Sequence, residues 1–153
     1  MAKRNYLVEG LSGTGKSSVY EELVRRGYHA ISTDRGWAYH AGPIHHDNFL
    51  WDQQKALSQL ERPEPEVLFV CGSSRNRDQF LAYFTKIFNL RIDNHTMRRR
   101  LQARTEADWP LGQEGVELML NLNQTDQGPA GAINIDGTLP LDQVVGELLR
   151  LAN

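Results

Sequence analysis

The sequence contains one cysteine, Cys71, so no disulfide can form within the chain. It also lacks long apolar runs, since none approaches the roughly 18 residues that would indicate a membrane span. The charged Lys3 and Arg4 are not followed by an apolar segment long enough for a signal peptide. We therefore expect a protein of a reducing compartment, the cytoplasm, with no membrane partner.

An excess of either charge is absent as well. Seventeen Lys and Arg residues against nineteen Asp and Glu residues give a formal net charge of -2. This balance excludes binding of nucleic acid through bulk charge, so any basic site must be local. The five histidines and the lone cysteine lack metal-ligand spacing, and His45 and His46 have no third ligand nearby, so no zinc site is predicted.

Apolar runs alternate with helical patterns along the 153 residues. Strands are predicted at 6–8, 29–32, 67–71, 87–92 and 133–135, and helices at 19–24, 47–60, 77–84, 96–104, 116–120 and 141–149. The unbroken apolar run at 67–71 is typical of a strand buried on both faces. The pattern predicts an α/β fold with a five-stranded parallel sheet in one domain, residues 1–153, as a monomer or homodimer. Ligands of such folds bind beyond the carboxyl ends of the strands.

Residues 10–17, GLSGTGKS, follow the first predicted strand and precede a helix. They match G-x-x-x-x-G-K-[ST] in the context that this phosphate-binding motif requires. Glycine lets backbone N–H groups converge on phosphate oxygens, and the helix N-terminus adds partial positive charge. Lys16 would contact the β- and γ-phosphates, and the Ser17 hydroxyl would complete a Mg²⁺ shell. The predicted ATP-binding residues here are Gly10, Leu11, Ser12, Gly13, Thr14, Gly15, Lys16, Ser17 and Ser18.

Polar residues follow the second and third predicted strands. Asp34 is placed to bind Mg²⁺ or to accept a proton from an acceptor hydroxyl, with a turn aspartate as the alternative. Arg75 either binds an anionic or hydroxylated group or is a solvated arginine at a helix start. Two groups of aromatic residues either line an acceptor pocket or pack against the sheet: those of the irregular segment 36–48, and Phe49 and Trp51 directly after it. The predicted substrate-binding residues are Asp34, Arg35, Trp37, Gly72, Ser73 and Arg75.

Residues 98–104, RRRLQAR, form a dense basic run. On a helix Arg100 and Arg104 would share one face, where like charges repel by about a few tenths of a kcal/mol. An anion between them would remove that cost, so both are predicted to contact ATP and the transferring phosphoryl group, with a solvated basic face as the alternative. A lid is expected at about 98–115. Near the chain's end, Gly137, Thr138 and Pro140 either border the donor purine or form a simple turn.

Together these stretches resemble the adenylate-kinase-like and shikimate-kinase-like branch of P-loop kinases. The resemblance rests on GLSGTGKSS, STDR, CGSSRN, RRRLQAR and INIDGTLPLDQVV, and it looks closest to small bacterial nucleoside kinases and AAA-type ATP-binding proteins. It implies a P-loop NTPase fold, a three-layer α/β/α sandwich with sheet order 2-3-1-4-5 and an acceptor-side segment at about 35–62. It also implies that Asp34 lies at the metal and acceptor site and that Arg100 and Arg104 bind phosphate from the lid side.

Two functions fit these residues. The first is an ATP-dependent kinase that moves the γ-phosphoryl group to a hydroxyl or phosphate of a small molecule, with Lys16, Asp34, Arg100 and Arg104 as catalytic residues. The second is an ATP-binding module that hydrolyses ATP slowly and acts through a protein partner. Segment 36–48 separates the two, because a kinase needs a pocket there and a switch needs a partner-facing surface.

Overall fold

A computed structural model describes residues 3–44, 48–106 and 108–153. The strands are β1 (Arg4–Gly10), β2 (Ala30–Ser32), β3 (Ala38–His40), β4 (Phe49–Trp51), β5 (Val67–Cys71), β6 (Lys86–Arg91) and β7 (Ile133–Asp136). The helices are α1 (Lys16–Arg25), α2 (Gln53–Leu60), α3 (Asn94–Gln102), α4 (Gly112–Thr125) and α5 (Leu141–Ala152), with short 3-10 helices at Thr33–Arg35 and Arg77–Tyr83. Within these ranges, the helices are too short or too polar to cross a bilayer.

Five of the strands form one parallel sheet in the order β2-β5-β1-β6-β7, which confirms the predicted α/β fold and five-stranded sheet. The numbering differs from the predicted 2-3-1-4-5 because β3 and β4 were not predicted. They pair with each other in a separate antiparallel hairpin. If only the five strands of this sheet are numbered along the chain, their order across the sheet is 2-3-1-4-5. β1 is central, with Val8 opposite Cys71 and Gly10 opposite Leu90.

The predicted helix at 47–60 is wrong in its first part, whereas α2 follows the prediction from Gln53 onward. Phe49–Trp51 is strand β4, and Asp47 lies outside the described residues. The Asn76 side chain accepts a hydrogen bond from the Trp51 N–H at 2.9 Å and donates one to the Trp51 carbonyl at 3.0 Å. This amide and the pairing with β3 satisfy the backbone of β4 in an extended conformation, so tertiary contacts override the local helical pattern.

Hydrophobic clusters cover both faces of the sheet, as the alternation of side chains along β1 requires. Val8 packs with Phe88 and with the apolar faces of α1 and α5. Leu7 points to the other face, where it packs with Val70 and the rings of Trp37 and Trp51. A third cluster lies between α3 and α4. The three layers therefore hold the carboxyl ends of β1, β2 and β5 at one edge.

Gly72, directly after β5, allows a close approach of the chain that follows β2. A Cβ at residue 72 would overlap the Thr33 side chain, which is fully buried. We expect Gly72→Ala to lower the free energy of unfolding by about 1–3 kcal/mol, because Thr33 and the turn that carries Asp34 must shift. Gly36→Ala is the matched control, since nothing lies within 4 Å of a Cβ there. Urea denaturation measures both, and equal losses in the two variants would contradict this account.

Candidate functional site

Three adjoining cavities lie at the carboxyl edge of the sheet. The hairpin cavity, about 240 Å³, is bounded by the loop after β1, the loops after β2 and β5, the β3–β4 hairpin and the segment before α4. The loop cavity, about 130 Å³, is lined by residues 12–18 together with Asp34 and Arg104. The α5 cavity, about 410 Å³, lies between residues 13–19, Arg100 and Arg104 of the region after β6, and residues 137–144. The loops after β1, β2 and β5 thus meet at this edge, where ligands of parallel sheets bind.

The glycine-rich loop has the backbone shape of an anion site. Gly13 and Gly15 take φ values of 88° and 108°, a region that residues with a Cβ rarely adopt. The loop leads directly into the N-terminus of α1 at Lys16, where the first amides have no partner within the helix. Ser17 and Ser18 are exposed in that first turn and line the loop cavity. Free amides, hydroxyls and the helix dipole therefore converge on this cavity.

Lys16 lies where the loop cavity meets the hairpin cavity. Its Nζ donates to the carbonyl of Gly10 and, at 3.1 Å, to that of Leu11. Burial lowers the pKa of Lys16, and the negative charges of Glu9 and Asp34 oppose that shift. The ammonium group is therefore held against neutral carbonyl oxygens at the entrance to a site suited to anions.

Asp34 is carried by the 3-10 turn Thr33–Arg35 and lines both the loop cavity and the hairpin cavity. Ser17 and Asp34 thus supply two oxygen groups to one cavity, a donor set that fits Mg²⁺ together with water and phosphate oxygens. The described part of the chain holds no group of three His, Cys, Asp or Glu residues suited to a metal ion. His45 and His46 lie outside the described residues.

The predicted pairing of Arg100 and Arg104 on one helix face is wrong, because α3 ends at Gln102. Arg100 donates to the carbonyls of Gly13 at 3.0 Å and Gly137 at 3.1 Å, so its guanidinium joins the glycine-rich loop to the segment after β7. Arg104 lies beyond the helix and lines all three cavities. Burial lowers the pKa of Arg104, opposed by Asp108 and Asp34.

The predicted substrate residues divide into two groups. Ser73 and Arg75 line the hairpin cavity beside Asp34, whereas Gly72 is packed behind them against Thr33. Trp37 is a core residue, 4 % exposed, whose ring lies 5.5 Å from that of Trp51. The Arg35 guanidinium lies over the ring of Tyr20. Trp37 and Arg35 are therefore outside the hairpin cavity, since burial of the indole in the core and the contact with α1 hold them elsewhere.

The predicted purine border is only partly at the α5 cavity. Gly137 lines this cavity, and a Cβ there would lie 2.8 Å from the carbonyl oxygen of Thr14. Thr138 instead donates its N–H to Asp136 at 2.9 Å, and Pro140 is the residue that precedes α5. The apolar lining comes from Leu139 and from side chains of α1 and α5.

Several lining residues were not in the predicted set of substrate-binding residues. Phe49 was among the aromatic residues expected either to line an acceptor pocket or to pack against the sheet, and Trp109 and Leu111 lie in the segment expected to form a lid. His40 and Phe49 come from the unpredicted hairpin, with ring centroids 5.2 Å apart. Trp109, Leu111 and Met119 come from the segment before α4 and from α4 itself. The helix predicted at 47–60 conceals β4, the second strand of the hairpin. Met119 has the sequence pattern of an ordinary core position of α4.

Glu9 was also missed, although a carboxylate that ends an apolar strand just before a glycine-rich loop is a visible signal. It is 2 % exposed and accepts a hydrogen bond from the Gly10 N–H at 2.9 Å. Arg77 Nη1 lies 3.6 Å from its second oxygen. Burial raises the pKa of Glu9, and Arg77, Lys16, Ser73 and the Gly10 amide oppose the shift. Glu9 therefore stabilises the start of the loop at the expense of its own desolvation.

Cys71 at the end of β5 lies inside the hydrophobic cluster around Val8. Burial raises the pKa of its thiol to about 12, although the charge of Lys16 opposes the shift. A thiol that stays protonated at neutral pH is not a nucleophile, and Cys71 is instead a core residue at the end of the apolar run 67–71.

Comparison with known proteins adds to this geometry. No protein-family model matches the chain, and no curated protein matches it. Among solved structures, a gluconokinase from Sinorhizobium meliloti 1021 is similar over 97 % of this chain and 93 % of its own, with a TM-score of 0.63 and 23 % identity. The fold is that of P-loop kinases.

Two further structures share this P-loop kinase fold. A sugar kinase from Janibacter sp. has a TM-score of 0.61 at 16 % identity, over 97 % of this chain and 93 % of its own. A deoxyadenosine kinase from M. mycoides, solved with bound dATP, has a TM-score of 0.61 at 12 % identity, over 97 % and 98 %. The likeness therefore extends over nearly the whole chain and confirms the predicted P-loop fold.

The buried carboxyl of Glu9 makes the stability of the fold depend on pH. Its pKa is raised above the ordinary value of 4.5, so between these two values the folded protein binds more protons than the unfolded one. This contribution therefore lowers the free energy of unfolding as pH rises through the window. We expect Glu9→Gln to remove that decline. The stability of the variant, compared with the wild type at the same pH, should therefore be higher at pH 8 than at pH 4.

Urea denaturation at a series of pH values between 4 and 8 measures this effect. Glu64→Gln, which changes an exposed carboxylate, is the matched control and should follow the wild type. A Glu9→Gln profile parallel to that of the wild type would show that the Glu9 carboxyl titrates as it does in the unfolded chain.

Proposed function

We propose that the chain is a small-molecule kinase, which transfers the γ-phosphoryl group of ATP to a hydroxyl or phosphate group of an acceptor in the hairpin cavity. One observation carries the proposal: Lys16, Asp34 and Arg104 line both the loop cavity and the hairpin cavity. A triphosphate in the loop cavity and an acceptor in the hairpin cavity would therefore both contact these two cations and this carboxylate. This is the arrangement that phosphoryl transfer requires, since positioning and charge stabilisation supply most of the rate.

The donor end would be held by the loop and α1. On binding, the Lys16 ammonium would exchange the carbonyls of Gly10 and Leu11 for phosphate oxygens, and such charge-assisted hydrogen bonds are stronger than those to neutral groups. The purine would enter the α5 cavity, where Val19, Leu139 and Val144 offer apolar contacts. Arg100, which borders this cavity, already orders its two walls.

At the reacting end, Ser17 and Asp34 would hold Mg²⁺. When bound, this ion neutralises charge on the phosphate chain. Asp34, on the rim of the hairpin cavity, would orient an acceptor hydroxyl or accept its proton. Arg104 would place its guanidinium against the oxygens of the transferred group, as cations do in other phosphoryl-transfer sites.

The hairpin cavity favours a kinase over a partner-dependent switch, because the region after β2 forms part of a concave site. The names of the similar structures, gluconokinase, sugar kinase and deoxyadenosine kinase, support a small acceptor such as a sugar or a nucleoside. The balanced net charge supports the same class over nucleic acid. We place the protein in the cytoplasm.

Lys16→Met tests the donor end. Because the variant keeps an unbranched side chain but loses the ammonium group, we expect affinity for a non-hydrolysable ATP analogue with Mg²⁺ to fall by about 10-fold or more, the worth of one charged hydrogen bond. Isothermal titration calorimetry measures the change. Lys55→Met, at an exposed position of α2, is the control and should bind as the wild type does. Unchanged affinity in Lys16→Met would exclude this lysine from the phosphate site.

Asp34→Asn tests the acceptor end. We expect binding of the nucleotide without Mg²⁺ to change little and phosphoryl transfer to fall by about 10²- to 10⁴-fold, the usual contribution of a positioned general base. The assay follows labelled ATP with a panel of nucleosides, nucleotides, sugars, sugar acids and aminoglycoside-like alcohols. Asp142→Asn, at an exposed position of α5, is the matched control. Slow hydrolysis alone across the whole panel would contradict the proposed kinase activity, and full transfer by Asp34→Asn would contradict the role of this residue.

A further inference from the structure

Arg104 is the residue on which the three cavities converge, yet no helix or strand holds it. It follows the end of α3, in an irregular connection, and its side chain is partly exposed to solvent. A long side chain in that position loses much rotamer entropy when it is ordered against a ligand. Something nearby must limit its freedom if it is to point reliably into the loop cavity.

The Trp109 ring is the group placed to do this. The Arg104 Cζ atom lies over this ring, 5.9 Å from its centroid, which is within the range of a cation–π contact. The carboxylates of Asp108 and Asp34 act on the same guanidinium. A guanidinium carries five N–H donors, so Arg104 can lie over the Trp109 ring and still donate to an anion.

Trp109 itself is firmly held. It is 8 % exposed and belongs to the third hydrophobic cluster, with Met97 of α3 and Val116 of α4. Its Nε1 donates to the carbonyl of Gly112 at 2.9 Å, and its backbone N–H donates to the carbonyl of Thr105 at 2.8 Å. The ring also contacts α4 where Gly115 has no side chain, since a Cβ there would lie 3.2 Å from Cζ2.

We propose that Trp109 is a positioning residue that holds the Arg104 guanidinium toward the loop cavity and so strengthens triphosphate binding. The inference rests on the proposed function, because it gives Arg104 a phosphate to bind. It assigns to Trp109 a role that differs from packing, since the aromatic face rather than the apolar volume is what acts on the cation.

The test compares Trp109→Leu, which keeps an apolar side chain and removes the ring, with Trp109→Phe, which keeps a ring. The probe is a non-hydrolysable ATP analogue with Mg²⁺, measured by isothermal titration calorimetry, with circular dichroism and a thermal melt to establish the fold. We expect Trp109→Leu to weaken binding by about 2- to 5-fold, the worth of one exposed cation–π contact, and Trp109→Phe to restore most of it. If Trp109→Leu does not fold, Trp109→Met replaces it.

The same substitutions in an Arg104→Met background separate positioning from packing. If Trp109 acts through Arg104, Trp109→Leu should cause no further loss of affinity there. A loss that persists in this background, or equal affinities of Trp109→Leu and Trp109→Phe, would overturn the inference. Failure of the wild type to bind the analogue would instead overturn the proposed function, so the two failures are distinguishable.

Discussion

The parallel pairing of β1 with β5 and β6 determines where every functional loop leaves the sheet. With Val8 opposite Cys71 and Gly10 opposite Leu90, the glycine-rich loop emerges from the central strand while its neighbours end beside it. The register also sends Leu7 and Glu9 to one face and Val8 to the other. A slip of one residue would turn Glu9 toward the apolar cluster under α1 and α5, so hydrophobic burial fixes the geometry of the glycine-rich loop.

Burial of Glu9 costs the fold stability and in turn orders the start of the glycine-rich loop. A buried carboxylate is costly unless it is paired, and its contact with Arg77 is longer than a hydrogen bond. Its second oxygen and the Arg77 Nε atom are both buried without a hydrogen-bond partner in the described structure. In return the first oxygen holds the amide that begins the loop. An acidic residue at position 9 is therefore better explained by its hydrogen bond to the glycine-rich loop than by any gain in core stability.

The sequence was sufficient for those features whose signals are local. Residues 10–17 combine a motif with the strand and helix on either side, and the apolar run at 67–71 is identical to β5. The hairpin was not predictable in this way, because β3 and β4 are three residues each and depend on each other and on Asn76. Trp37 was misplaced for a related reason, since an indole has the same sequence signature whether it packs on Trp51 or lines a pocket.

The basic run failed as a helical pattern for a different reason. An ideal helix over residues 96–104 puts Arg100 and Arg104 together, but the chain leaves α3 at Gln102. Helix ends depend on contacts that a short pattern does not contain. Here Trp109, in the segment that follows α3, lies in the third cluster with the Arg104 guanidinium over its ring, so Arg104 lies beyond the helix and lines the cavities.

The α5 cavity and the hairpin cavity, on either side of the loop cavity, are ordered by different parts of the fold. On one side, Arg100 joins the glycine-rich loop to the segment after β7 through hydrogen bonds to the carbonyls of Gly13 and Gly137. On the opposite side, Asn76 and the hydrogen bond from the Arg75 N–H to the Phe49 carbonyl join the hairpin to the loop after β5. Among the described residues, only those at the centre, Lys16 and Asp34 among them, line both the loop cavity and the hairpin cavity. Substitutions in the hairpin would therefore alter the lining of the hairpin cavity without disturbing the glycine-rich loop and the α5 cavity.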